Sequence, residues 1–274
     1  MTSPARVLAI LNLFGEKHPV WHTDEINAAM GYTRATGYRY VRDLVEAGFL
    51  RKVSAGRYSL GPRIIELDYQ VRRSDPVLLA AVPVMDDLVK KARLDAVLSM
   101  IYGTSLVDIY RASVDPTLQL SYGRGRPRPL FLGAAPKVIL SQIARPQLVK
   151  IYEARAAEVA ASGLGNTWPE FRSRLAEIRK QGFYWSHGEL DRWLSGAAMP
   201  LFDAEGDVAA ALTLVGLKES LEEGGEHRLR SLLAHACEEI QARVNEGVRL
   251  PASPAAVRAA FKNANAPRRR RAAA

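Results

Sequence analysis

The stretch MGYTRATGYRYVRDLVEAGFL, residues 30–50, admits few folds. Thr33 is placed to cap a helix, Val41, Leu44 and Val45 fall on one face of it, and Gly48 can end it in a left-handed turn. The remaining faces carry Arg34, Tyr38, Arg39, Tyr40 and Arg42, so this helix buries one stripe and presents cations and rings elsewhere. Upstream, Val7, Leu8, Ile10, Leu11 and Phe14 space as a wide helical stripe between Pro4 and Gly15. A second short helix is expected to begin with Thr23 as its cap and to stop at Gly31, with Asp24 and Glu25 where the helix dipole favours acids. Behind the third helix, FLRKVSAGRYSLG reads as two strands, 49–53 and 57–60, around the turn Ser54-Ala55-Gly56. Three helices with a glycine turn, followed at once by a hairpin, spell a winged helix-turn-helix.

Charge falls where such a unit would use it. The 274 residues carry a net charge of +9. Residues 1–63 hold nine Lys or Arg against five acids, and residues 251–274 hold six cations and no acid, which leaves the rest close to neutral. A basic N-terminal quarter points to double-stranded DNA as partner. In a helix-turn-helix the N-terminal end of the third helix enters the major groove, which makes Arg34, Thr36, Gly37, Tyr38 and Arg39 candidate contacts, with Thr23, Thr33, Arg42 and Arg57 beside them. Glycine in mid-helix costs about 1 kcal/mol relative to alanine, and close approach to a DNA backbone is the expected reason for Gly37.

Other classes find little support. The single Cys237 excludes an intramolecular disulfide framework and fits a reducing compartment. No apolar run reaches the roughly 18–20 residues of a membrane span, and the N-terminal apolar run is too short for a signal peptide, so the expected location is cytoplasmic, on the nucleoid when bound to DNA. YGRGRPRPLF lacks the third glycine of a dinucleotide loop, and Pro19 separates His18 from His22, so no cofactor, metal or catalytic residue is expected. Glu189 and Asp191 read as a surface pair in a polar turn.

The rest of the chain changes texture. Residues 62–76 read as a linker helix, and another helix follows. From Asp95, strands are expected at 96–102, 106–113 and 118–122, then helices at 135–142, 147–157 and 169–180, strands at 183–186, 194–202 and 207–215, and a last helix at 223–245. The expected fold class is α+β: a winged helix-turn-helix domain at 1–61, the linker, an antiparallel sheet with flanking helices at 77–250, and a basic tail at 251–274.

In wording and spacing, MGYTRATGYRYVRDLVEAGFL and GRYSLGPRIIELD resemble the isocitrate-lyase-regulator (IclR) family of bacterial transcription factors, with phrases such as LGLPKSTVHRLLATLVEEGYV and GRYRLGPRLLELG. PLFLGAAPKVILS and GFYWSHGELDRWLSGAAMPLFDAEGDVAAALTLVG are similar to that family's effector-binding, GAF-like domain, so the resemblance covers residues 5–248. It implies self-association to a dimer or tetramer, a near-palindromic operator and a small-molecule effector. Carried over by position, the effector pocket would include Phe131, Leu132, Gly133, Ala134, Ser186, His187, Gly196, Ala197, Thr213 and Val215, with Tyr102 and Tyr110 supplying rings. Phe131, Gly133, Gly196 and Val215 replace more polar or bulkier family residues, which predicts a less polar pocket, roomier near the two glycines, for an aromatic or other small carboxylate or a related compound. Arg111, Arg124, Arg126, Arg128 and His187 are the candidates to hold a carboxylate. Two other readings remain open from sequence: a constitutive DNA-binding protein without effector, and an enzyme that retains a winged helix.

The tail's Arg268–271 run reads either as a source of non-specific phosphate attraction or as a solvated tail with no role, and the first reading is the one a deletion can test. Deleting residues 251–274 should therefore flatten the salt dependence of DNA affinity, by about 0.9 in log–log slope for each phosphate no longer neutralised, while operator choice in a selection assay stays the same.

Overall fold

The computed structural model describes residues 2–102, 105–115, 117–203 and 205–247, with the side chains of Tyr102 and Pro127 excepted. The basic tail, Gly103 and Thr104 of one expected turn, and the side chain of Tyr102 lie outside what is described. The chain forms two compact units that divide between Ser74 and Asp75.

The first unit is built as its sequence pattern requires, with three differences. Its elements are α1 (Ser3–Ala9), a 3-10 turn (Ile10–Leu13), β1 (Trp21–His22), α2 (Thr23–Met30), α3 (Arg34–Glu46), β2 (Leu50–Ser54), β3 (Arg57–Leu60) and α4 (Arg63–Ser74). Ile10, Ile26, Val41, Leu44 and Leu50 form the core, and Tyr40, expected on the outer face, joins them. Strand β1 was not foreseen; it pairs with β3 to make a three-stranded antiparallel sheet in the order β1-β3-β2. The third difference is the cap of α2. His22 holds that position: its Nδ1 accepts from Asp24 N–H at 3.2 Å, while Glu25 reaches back to His22 N–H at 2.7 Å. Thr23 is instead fully buried, its backbone N–H donating to Gly56 O at 3.0 Å and its hydroxyl to the same oxygen at 3.4 Å.

Gly37 also has a different reason from the expected one. It is buried where α3 crosses α2, and a Cβ there would fall 1.4 Å from Asn27 Oδ1. Helix packing explains this glycine, and Gly37 cannot face DNA.

In the second unit, Asp75 caps α5 (Pro76–Ala92) by accepting from Leu78 N–H at 2.8 Å. There follow β4 (Asp95–Tyr102), β5 (Ser105–Ala112), β6 (Pro127–Arg128), α6 (Ala134–Gln142), α7 (Arg145–Ala161), α8 (Trp168–Gln181), β7 (Tyr184–His187), β8 (Leu194–Phe202), β9 (Val208–Leu217), α9 (Lys218–Gly224) and α10 (Glu226–Asn245). The six strands form an antiparallel sheet in the order β6-β5-β4-β9-β8-β7. On one face Leu98, Ala197, Leu212 and Leu214 pack with Met85 and Leu88 of α5 and Leu233 and Ile240 of α10. On the other, Leu106, Ala198 and Ala211 pack with Val138 and Ile139 of α6 and Phe171 and Leu175 of α8. Both faces are apolar because both are covered. Residues 118–122 are not the expected strand. The Arg111 guanidinium donates to Leu118 O at 2.8 Å, taking an acceptor that a ladder would have used, and Pro127 and Arg128 pair with β5 instead. The last helical stretch is broken at Gly225 into α9 and α10. Burial, reinforced by Glu238, pushes the Cys237 thiol up to about 12, so it stays protonated at neutral pH. Among the described residues no helix is long and apolar enough to cross a membrane.

The close fit of Gly37 on Asn27 is directly testable. Gly37→Ala gains about 1 kcal/mol of helix propensity, but overpacking costs about 1–3 kcal/mol, so the variant should unfold at lower urea concentration than wild type. Adding Asn27→Ala should restore the stability, and an additive double mutant would remove this fit as the cause.

Candidate functional site

Two surfaces carry chemistry, one in each unit. On α3, Arg34, Tyr38, Arg39 and Arg42 are exposed, and the Thr33 hydroxyl caps the helix by accepting from Thr36 N–H at 3.3 Å. The Arg34 guanidinium lies 5.5 Å from the Tyr38 ring centre, which stiffens two long side chains at the helix start. Arg42 has exposed acidic neighbours, Asp43 at 3.6 Å and Glu46 at 3.7 Å, so its charge is partly offset. A groove between α3 and the hairpin is lined by Ala35, Tyr38, Arg39, Arg42, Val45, Lys52 and Tyr58. Arg57 is exposed on β3. Thus Arg34, Tyr38, Arg39, Arg42 and Arg57 are accessible, Thr33 and Thr36 shape the helix start, and Thr23 and Gly37 are internal. Lys52 and Tyr58 were missed; the pairing of the hairpin strands, which sequence does not fix, brings them beside α3.

In the second unit a cavity of about 60 Å³ lies on the sheet face that carries α6. That is room for a handful of waters or a compact ligand. Its floor is Val97 of β4, Asp108 of β5, Ser186 of β7, Ser195 and Gly196 of β8, and Thr213 and Val215 of β9. Gly133 and Ala134 close one end, and Leu120, Tyr122, Arg128, Leu190 and Asp191 cover it.

Of the expected pocket residues, Gly133, Ala134, Ser186, Gly196, Thr213 and Val215 line this cavity. The others do not. Phe131 is buried against Phe171, with ring centres 6.2 Å apart, and Leu132 is outside the lining. His187 is stacked on Trp185 at 5.2 Å, and Ala197 lies in the core of the opposite sheet face. Tyr110 was misplaced by parity. A bulge shifts the register so that Leu98 faces Tyr110 and Ser99 faces Asp108, which sends Tyr110 to the α5 side, where it donates to Asp86 at 3.1 Å.

The cavity is built around charge pairs. Asp108, nearly fully buried, accepts from Ser99 Oγ at 2.7 Å and from Arg128 at 2.9 Å. Lys137, also buried, lies 2.6 Å from Glu189 and donates to Tyr184 OH at 3.0 Å. Burial holds the Tyr184 phenol above its ordinary value, although Lys137 pulls it down. Glu189 accepts from Gly133 N–H at 2.8 Å and so occupies the N-terminus of α6. Asp191 accepts from the Ser121 backbone at 3.3 Å and from its hydroxyl. The two acids read as surface therefore shape the cavity. Gly133 has φ +92° and would place a Cβ 3.0 Å from Leu190, so the room expected there is filled. At Gly196 an added Cβ would make ordinary contacts, 3.4 Å from Thr213, so some space remains. Of the arginines proposed for a carboxylate, Arg111 is bound to Asp95 and only Arg128 lines the cavity. Arg128 Nε, Ser195 Oγ and Thr213 Oγ1 are buried with no protein partner.

Each unit also matches known proteins. Residues 3–54 match the model of the IclR helix-turn-helix domain, and residues 70–242 match that of the bacterial transcriptional regulator IclR C-terminal domain. The HTH-type transcriptional regulator KipR of Bacillus subtilis (strain 168) is 29% identical over 220 residues, 79% of this chain and 86% of its own. An IclR transcriptional regulator from Silicibacter sp. TM1040 superposes with a TM-score of 0.76 at 22% identity, over 91% of this chain and 98% of its own. An IclR homologue from Microbacterium hydrocarbonoxydans, complexed with 4-hydroxybenzoate, superposes with a TM-score of 0.69 at 21% identity, over 90% of this chain and all (100%) of its own. Matched by the family's models in both of its units, the chain belongs to the IclR family of bacterial DNA-binding transcriptional regulators.

Proposed function

We propose that this regulator works as a dimer or higher oligomer on a near-palindromic double-stranded operator and answers to a small molecule held in the cavity of its second unit. The observation that carries the DNA reading is the exposed row Arg34, Tyr38, Arg39 and Arg42 on a helix whose opposite face is the core of its unit. Thr33 and Thr36 order the start of that helix, and Arg57 and Lys52 on the hairpin add cations beside it. Self-association is supported by α4, which buries none of its residues and leaves Ile65 73% exposed, with Tyr69 and Val71 also exposed.

The effector reading is favoured over a constitutive DNA-binding protein by the cavity's unpartnered polar atoms, which a ligand would satisfy. A small aromatic or aliphatic compound, either a carboxylate or its neutral derivative, fits its size, and the relative that holds 4-hydroxybenzoate supports an aromatic one. Ligand control is bounded by the differential affinity for two DNA-binding states, of the order of 1–3 kcal/mol. The non-enzymatic reading is supported by the relatives, which are transcriptional regulators.

Arg39→Ala should weaken operator binding by about 1–3 kcal/mol and relax one base position in a binding-site selection, the mark of a base-edge contact. Uniform weakening with a shallower salt slope would make Arg39 a phosphate contact, and unchanged affinity would remove it from the interface. Ile65→Asp should raise the protein concentration needed for self-association in sedimentation analysis, with the melting temperature of the chain otherwise retained.

A further inference from the structure

We infer that the cavity selects an electrically neutral ligand bearing a carbonyl or amide, and discriminates against the matching carboxylate. This rests on the reading of the cavity as the effector site. Both buried cations near it are already matched: Arg128, its side chain 10% exposed, faces Asp108 at 2.9 Å, and Lys137, 4% exposed, faces Glu189 at 2.6 Å. At the start of α6 the Glu189 carboxylate already accepts from Gly133 N–H, so an acid stands where the helix would attract an anion. Asp191 adds a further carboxylate at the rim. A carboxylate entering this space would lose its hydration and meet acids, and the charge of each buried cation beside it is already matched by one of those acids.

A neutral carbonyl meets the opposite situation. Arg128 Nε–H is a buried donor in want of an acceptor, which a carbonyl oxygen supplies. Thr213 Oγ1, on the cavity face of the sheet, can donate or accept, which suits an amide N–H or a hydroxyl on the same ligand. Val97, Leu120, Leu190 and Val215 give the apolar surface that a ring or short aliphatic body would cover. The polar contacts thus favour hydrogen bonding without net charge.

The test uses the full chain with 4-hydroxybenzamide and 4-hydroxybenzoate as a matched pair, read by titration calorimetry and thermal melting. The amide should bind more tightly by at least about tenfold, and Thr213→Val should abolish the preference. Asp108→Asn, which frees the Arg128 charge, should turn selectivity toward the carboxylate; Glu189→Gln, which frees Lys137, serves the same purpose should the first variant not fold. A carboxylate that binds the wild type as well as the amide or better, and loses affinity in Thr213→Val, overturns the neutral class while leaving the cavity as the effector site. Ligand binding untouched by Thr213→Val and by Gly196→Leu, which puts a side chain into the cavity, overturns both readings. No response to either compound overturns the neutral aromatic class.

Discussion

Asp108, buried on β5, ties the sheet to the segment that covers the cavity. Its carboxylate accepts from Ser99 on β4 and from Arg128 on β6, while its backbone oxygen accepts from Gly125 N–H at 3.2 Å. A buried carboxylate is tolerated only when matched, and removing one member of such a pair costs about 3–5 kcal/mol because the other is left uncompensated. The floor, the cover and the charge balance of the cavity all depend on this one acid. Glu189 plays a parallel part at the start of α6, where it joins Gly133, Lys137 and Tyr184.

Much of the first unit was legible in sequence because its signals are local. The cap at Thr33, the stripe Val41–Leu44–Val45 and the hairpin turn each lie within a few residues of what they determine. The failures came where a residue answers to a distant partner. Gly37 fits Asn27 on a different helix, and Thr23 bonds to Gly56 in the hairpin, so neither role can be read from its neighbours. His22 escaped because histidine is an uncommon cap, and β1 because two residues carry too little alternation to register.

In the second unit, element types were mostly readable and the facing of side chains was not. Period-2 reasoning places Asp108 and Tyr110 on one face, but a single extra residue in β5 separates them. Positions carried over by resemblance fall on the cavity where the strand is regular, as at Gly196, Thr213 and Val215, and away from it where an adjacent residue points to the other face, as at Ala197 and His187. Glu189 and Asp191 looked like surface residues because a polar turn usually is one. Their partial burial goes with the covering segment, which Arg111 holds through Leu118.

Thr23 has a mechanical consequence. Its backbone and side chain fasten the tip of the hairpin to α2, and α2 in turn is locked against α3 through the close fit of Asn27 and Gly37. Hairpin, second helix and third helix are thereby clamped into one solid piece, with no slack for the third helix to tilt by itself. In an oligomer of such pieces, a signal from elsewhere in the chain has little purchase on the shape of any one of them. In the self-association proposed above, what it can alter is the spacing of two rigid jaws along the double helix.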